Sequence, residues 1–303
     1  MQIGMVGLGK MGANMVQRLL LGGHRVVAFD INEEAVRAVE KAGAVGAVTL
    51  GQLVKQLDIP RSVWVMVPSG KITEDTIAAL RKLLLPGDVI IDGGNSNYKD
   101  SMRRFELLDA RGLKFIDVGT SGGVWGLKEG YSMMIGGESE VVEHHRPVFE
   151  TLAPSRDTGW GHVGPPGSGH FVKMIHNGIE YGLMQAYAEG FSIMKAKQEF
   201  ELDLHQVADI WRYGSVIRSW LLDLTANALS EDQDLSGIEA WVEDSGEGRW
   251  TVFEAIDLDI AAPVITASLQ RRLRSRETQP FSDKLLSAMR NQFGGHAIRK
   301  SEE

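Results

Sequence analysis

The 303-residue sequence predicts an α/β fold: a mostly parallel sheet covered by helices, followed by an all-α region. Three observations predict it. Short apolar runs alternate with amphipathic stretches through the first half. A glycine-rich turn joins the first run to the first helical pattern. After "GPPGSG" at 164–169, a turn-rich joint, the pattern becomes almost wholly helical. The expected division is residues 1–165 and residues 166–303.

Strand-like runs occupy 2–7, 25–30, 62–67, 88–94, 114–119 and 131–137. Helical stretches separate most of them. In the one at 32–42, Asn32 suits an N-cap, with Glu33 and Glu34 favourable in the first turn. Beyond the joint, a long helix should start near Ser168. Further helices are expected within 203–229, within 249–273 and at 282–291, before a short polar tail.

The first turn reads Gly7, Leu8, Gly9, Lys10, Met11, Gly12, a G-x-G-x-x-G pattern. Taken alone that spacing is weak, since the chain has 35 glycines. Here a strand precedes it, a helix follows, and an acid, Asp30, closes the next strand. Glycines allow a tight turn and close approach of a pyrophosphate to free N–H groups at a helix N-terminus. The first half is therefore expected to be a Rossmann-type dinucleotide-binding domain. A carboxylate at Asp30 accepts hydrogen bonds from the adenosine ribose and repels a 2′-phosphate, and no arginine follows in "DINEEA". NAD is expected as cofactor, with NADP a weaker possibility.

Composition narrows the classes. Hydrophobic residues at 43% and charged ones at 24% suit a globular protein. A net charge of −8 argues against nucleic-acid binding, which needs a basic face. The one dense basic run, "RRLRSR" at 271–276, reads as a helix end. With no cysteines there are no disulfides and no thiolate chemistry, which suits the cytoplasm. The strand pattern beginning at the second residue leaves no room for a leader, and no apolar run reaches membrane-spanning length.

"HFVKMIHNGIEY" at 170–181 carries the chemistry. At about 100° per residue, Lys173, His176, Asn177, Glu180 and Tyr181 share one helical face, and Phe171, Val172, Ile175 and Ile179 point the other way. Taken alone this is an ordinary amphipathic helix with a solvated Lys and Glu. Gly178 and Gly182 would let a second backbone approach. Beside a nucleotide domain, Lys173 can take a proton from a hydroxyl as hydride leaves, if burial or a neighbouring cation lowers its pKa. Glu180 can return a proton later. Two acid–base groups suggest a second step. Decarboxylation is the obvious one, since a β-keto acid loses carbon dioxide once its keto oxygen is polarised. No clustered His/Asp/Glu set suggests a metal.

"GLGKMGANM", "DGGNS" (92–96), "SGG" (121–123), "GHFVKMIHNGIEYG" (169–182), "IRS" (217–219) and "FGGH" (293–296) together resemble 6-phosphogluconate dehydrogenase, decarboxylating, in its short form. The resemblance implies roles residue by residue. Lys173 would be the base and then polarise the keto group. Glu180 would protonate carbon 1 of the enediol. His176, Asn177 and Asn95 would bind substrate hydroxyls. Ser121, Gly122 and Gly123 would hold the carboxylate, and Val67, Pro68 and Ser69 would pass the nicotinamide, with Asn95 also near the cofactor. Tyr181 and Arg218 would bind the phosphate.

The resemblance further implies that Arg290 and His296 reach into a partner subunit's site, so that a homodimer or homotetramer is expected. Two departures stand out. Common members are longer, and the phosphate-binding lysine they carry before a tryptophan is absent from "EDSGEGRWT", which leaves two alternatives: Arg249 substitutes for it, or Arg218 does more of the work. The rival readings are a non-decarboxylating β-hydroxyacid dehydrogenase, such as one acting on 3-hydroxyisobutyrate, and a catalytically silent nucleotide-binding protein.

Overall fold

The computed structural model describes residues 1–294, 297 and 299. Cα packing divides the chain into two compact units, 1–176 and 177–303, with the division inside a long helix.

The first unit is built on an eight-stranded sheet. Its elements run β1 (Gln2–Val6), α1 (Lys10–Leu21), β2 (Arg25–Phe29), α2 (Glu33–Lys41), β3 (Val45–Gly46), α3 (Leu50–Lys55), β4 (Ser62–Val65) and α4 (Lys71–Leu83). They continue with β5 (Val89–Asp92), α5 (Tyr98–Asp109), β6 (Lys114–Ser121), α6 (Gly126–Glu129), β7 (Ser132–Gly137), α7 (Ser139–His144), α8 (Arg146–Leu152) and β8 (Trp160–Gly164). The spatial order is β3-β2-β1-β4-β5-β6-β7-β8. Every pairing is parallel except β6 with β7.

All six expected strands are present. Two more flank the sheet: β3 is two residues long, and β8 ("WGHVG") is glycine-broken and only partly covered, so neither shows an apolar run. Side-chain alternation supplies two cores. Ile3, Met5, Trp64 and Ile91 pack on one face, and Val6, Val63, Val65 and Ile90 on the other. Asn32 caps α2 as expected, its Oδ1 accepting from the Glu34 N–H at 3.0 Å.

Among the polar groups buried in this unit is a histidine. His145 is fully buried, with Nδ1 donating to the Val141 carbonyl (2.8 Å) and Nε2 accepting from the Ser62 hydroxyl (2.7 Å). Burial pushes its pKa down from 6.5 to about 4. Between those values the unfolded chain binds the proton and the folded one does not. The contribution is therefore whole above pH 6.5 and lost as pH falls toward 4, up to about 3 kcal/mol. Urea unfolding at pH 7.5 and pH 5 should show this loss in the parent and a smaller one in His145→Gln.

The long helix α9 (Ser168–Ala196) starts where the sequence places it. The second unit continues with α10 (Leu204–Trp211), α11 (Trp220–Glu231), α12 (Glu247–Asp257), α13 (Pro263–Arg274) and α14 (Phe281–Gly294). The stretches expected at 203–229 and 249–273 each break into two helices. Gly214 adopts φ +72° and Ser219 caps α11; Asp259 adopts φ +56° and Pro263 opens α13. α14 runs on past 291 to Gly294. A small core of Phe191, Leu204, Ala208, Leu222, Ala226 and Leu229 joins α9, α10 and α11.

Candidate active site

The sheet order reverses direction between β1 and β4, and the loops leaving these strands frame the crevice where α/β sheets bind ligands. The three glycines of the first loop do different jobs. Gly7 sits at φ +96° with the Met66 carbonyl against its Cα. Gly12 packs on the Gly7 carbonyl, so any side chain would part α1 from β1. Gly9 faces open space, and no side chain caps the 12-residue α1 behind it. Such an arrangement has the shape and the free N–H groups to receive a pyrophosphate. Lys10 is exposed and Met11 half-buried at its edge.

Asp30 faces this loop. Its Oδ2 accepts from the Leu8 N–H at 2.6 Å and its Oδ1 from the Asn32 N–H at 2.8 Å. Each oxygen keeps a lone pair for a ribose hydroxyl. Val67 lies against Gly7, and its carbonyl is close to Gly94; Pro68 and Ser69 are exposed beside it.

The loop after β5 is braced from below. Asp92 accepts from the Gly94 N–H (3.2 Å), the Ser96 hydroxyl (2.8 Å) and Arg104 Nη1 (3.0 Å), and Arg104 Nε also binds Glu74. Hydrogen bonding from Arg103, joined by Arg104, holds the Glu74 carboxyl down at about 2. These contacts leave Asn95 exposed at the loop tip. Ser121 ends β6, and Gly122 and Gly123 follow with φ of +133° and +51°. The Tyr131 ring packs under Gly122 and Gly126, and Asn14 of α1 donates to the Val124 carbonyl at 3.3 Å.

On α9 the expected face is present but turned inward. Lys173 and Asn177 are 7% and 8% exposed, whereas Ile179 on the apolar side is 52% exposed. An ordinary surface helix would show the reverse, so the solvated-lysine reading fails. Lys173 Nζ lies 3.5 Å from His176 Nδ1. His176 and Glu180 are half-buried. Gly178 and Gly182 do admit close neighbours, but these are the side chains of Thr251 and Val264 rather than a backbone.

Within the second unit, Tyr181 is buried and its hydroxyl is held by the Ser245 N–H (3.0 Å) and Oγ (3.2 Å). The Arg272 guanidinium stacks on the Tyr181 ring, 3.6 Å from its centroid. Arg249, the sequence's substitute for the missing lysine, is instead committed to Asp244 by two hydrogen bonds of 2.9 and 3.0 Å. Arg276 also binds Asp244, whose carboxyl is held low chiefly by Arg249. Arg272 is not among the residues expected beside Tyr181. The signal was "RRLRSR" itself, read as a helix end although a helical face selects single arginines from it. Arg218 is exposed beside an apolar groove with Leu183, Tyr187 and Trp211. Arg290 is exposed on α14, and His296 lies outside the described residues.

Residues 2–161 match the NAD binding domain of 6-phosphogluconate dehydrogenase, and residues 169–281 and 196–303 match its C-terminal domain. The chain belongs to the 6-phosphogluconate dehydrogenase family. A Bacillus subtilis protein provisionally assigned to this family, YqeC, is 45% identical over 99% of this chain and its own whole length. The NAD(+)-dependent, decarboxylating 6-phosphogluconate dehydrogenase of Haloferax volcanii is 43% identical over the whole of both chains. Plasmodium falciparum 6-phosphogluconate dehydrogenase has the same architecture at a TM-score of 0.84 and 29% identity, covering all of this chain and 67% of that one. A 3-hydroxyisobutyrate dehydrogenase of Mycobacterium tuberculosis, 21% identical with a TM-score of 0.71, shares the fold.

Proposed function

We propose that the chain catalyses the oxidative decarboxylation of 6-phospho-D-gluconate to D-ribulose 5-phosphate and carbon dioxide, with NAD as the preferred hydride acceptor. The observation that carries this is the inward-turned face of α9, which buries Lys173 and Asn177 in a chain of this family. Lys173 takes the proton of the 3-hydroxyl as hydride departs. Once protonated, it hydrogen-bonds the new 3-keto oxygen and stabilises the enediolate as carbon dioxide leaves. Glu180 then delivers a proton to carbon 1. A dehydrogenase that stops at the keto acid has no use for Glu180.

His176, Asn177 and Asn95 orient the sugar hydroxyls, and Ser121, Gly122 and Gly123 receive the carboxylate. For the phosphate, Tyr181 and Arg272 replace the lysine of longer members, with Arg218 and Arg290 as further cations. Residues 1–165 hold the dinucleotide through Gly7–Gly12, Asp30 and Val67–Ser69, and residues 166–303 supply substrate binding and assembly.

The active form is inferred to be a homodimer or homotetramer, with the tail that bears Arg290 and His296 completing a neighbour's site. Exposed apolar side chains support association, among them Ile193, Val216 and Phe253. A cysteine-free chain suits the cytoplasm, and no helix among the described residues is long and apolar enough to cross a membrane.

Steady-state kinetics with 6-phosphogluconate and each cofactor test the Asp30 assignment. Catalytic efficiency should be about tenfold or more higher with NAD, if repelling the 2′-phosphate costs at least about 1.4 kcal/mol. Equal efficiencies would mean that Asp30 does not face the ribose.

A further inference from the structure

We propose that Asp117 and Gly119 of β6 are positioning residues that fix the height of Lys173 above the strand that ends in Ser121; this rests on Lys173 being the base. Asp117, Gly119 and Ser121 alternate along β6, so their side-chain directions share one face of the sheet. Each meets a different part of the chemistry. Asp117, fully buried, caps α9 from outside the helix: Oδ1 accepts from the Gly167 N–H at 2.6 Å and Oδ2 from the His170 N–H at 2.8 Å. The helix's own first residue, Ser168, does not share the task, since its buried hydroxyl has no hydrogen-bond partner among the described residues. The buried His170 ring adds a lateral tie, with Nδ1 2.7 Å from the Ser101 hydroxyl of α5.

Gly119 is the seat. A Cβ there would overlap the Lys173 Cβ and lie 2.7 Å from the Gly169 carbonyl oxygen. A Cβ on Gly169 would in turn lie 2.5 Å from the Asp117 carbonyl oxygen and 2.6 Å from that of Met134. The first two turns of α9 therefore rest directly on the backbone of β6 and β7. Because Ser121 is two residues along the same strand, the base and the proposed carboxylate site share one rigid support. Reacting groups held this way lose about 10²-fold for a displacement near 1 Å.

The test uses Asp117→Asn and Gly119→Ala, with Lys173→Met alongside. An asparagine keeps one acceptor and turns an N–H₂ toward a backbone donor, and an alanine lifts the helix. Turnover is measured per cofactor-binding site, counted by NADH titration, so that unfolded protein drops out. In both variants kcat per site should fall about 10- to 100-fold, with KM for 6-phosphogluconate held within about threefold. If one variant does not fold, the other decides. If the folded variants keep kcat per site within about threefold of the parent, or if the loss appears only in the number of binding sites, the positioning role is overturned. If Lys173→Met keeps parent turnover, the base assignment fails and takes this inference with it.

Discussion

Lys173→Met is expected to abolish hydride transfer from 6-phosphogluconate, lowering kcat by about 10³-fold or more. In the proposed mechanism two steps depend on the same side-chain nitrogen. The amine must accept the hydroxyl proton during oxidation, and the resulting cation must stabilise the oxyanion that forms as carbon dioxide leaves. Methionine fills the space under α9 but does neither. The stem of Lys173 packs on Gly119 and the residue is 7% exposed, so its replacement leaves the site without a base held at that position. Cofactor binding should survive, because the Gly7–Gly12 cradle does not include α9. Stopped-flow measurement of NADH formation decides the matter, and near-parent turnover would return this helix to a structural role.

Glu180→Gln should give the other large loss, of a different kind. NADH formation should fall about 10²-fold, as expected when a positioned acid is removed. Exchange of the carbon-1 hydrogen of ribulose 5-phosphate with deuterated solvent should fall further, because protonation at that carbon is the step proposed for Glu180. NMR of the product pool in deuterium oxide measures it. Parent-rate exchange in the variant would assign the acid elsewhere. Lys173→Met with Glu180→Gln should be little slower than Lys173→Met alone, as residues acting as one unit are not additive.

The parts of this fold that follow a local rule were legible in the residues. The nucleotide loop is one: positive φ at Gly7, close packing at Gly12 and open space at Gly9 are what the spacing implies. Asn32 capping α2 and the start of α9 near Ser168 are others. Features that depend on tertiary partners were not. The helical periodicity of 170–181 put five side chains on one face, yet nothing in it said that this face is the buried one. The depth of Lys173 is set by Gly119, fifty-four residues earlier in the chain. Likewise Arg249 and Arg272 are equivalent cations in the sequence. Asp244 neutralises the first, and the Tyr181 ring holds the second. Edge strands β3 and β8 show no apolar run because they are short or glycine-broken.

The central claim is that one buried lysine and one acid, without a metal, carry oxidation and decarboxylation in a single site. Its most direct test follows NADH and carbon dioxide together from 6-phosphogluconate and NAD in the presence of EDTA. One carbon dioxide per NADH, at an undiminished rate, is the expected result. NADH without carbon dioxide, or activity that EDTA removes and a divalent cation restores, would contradict it.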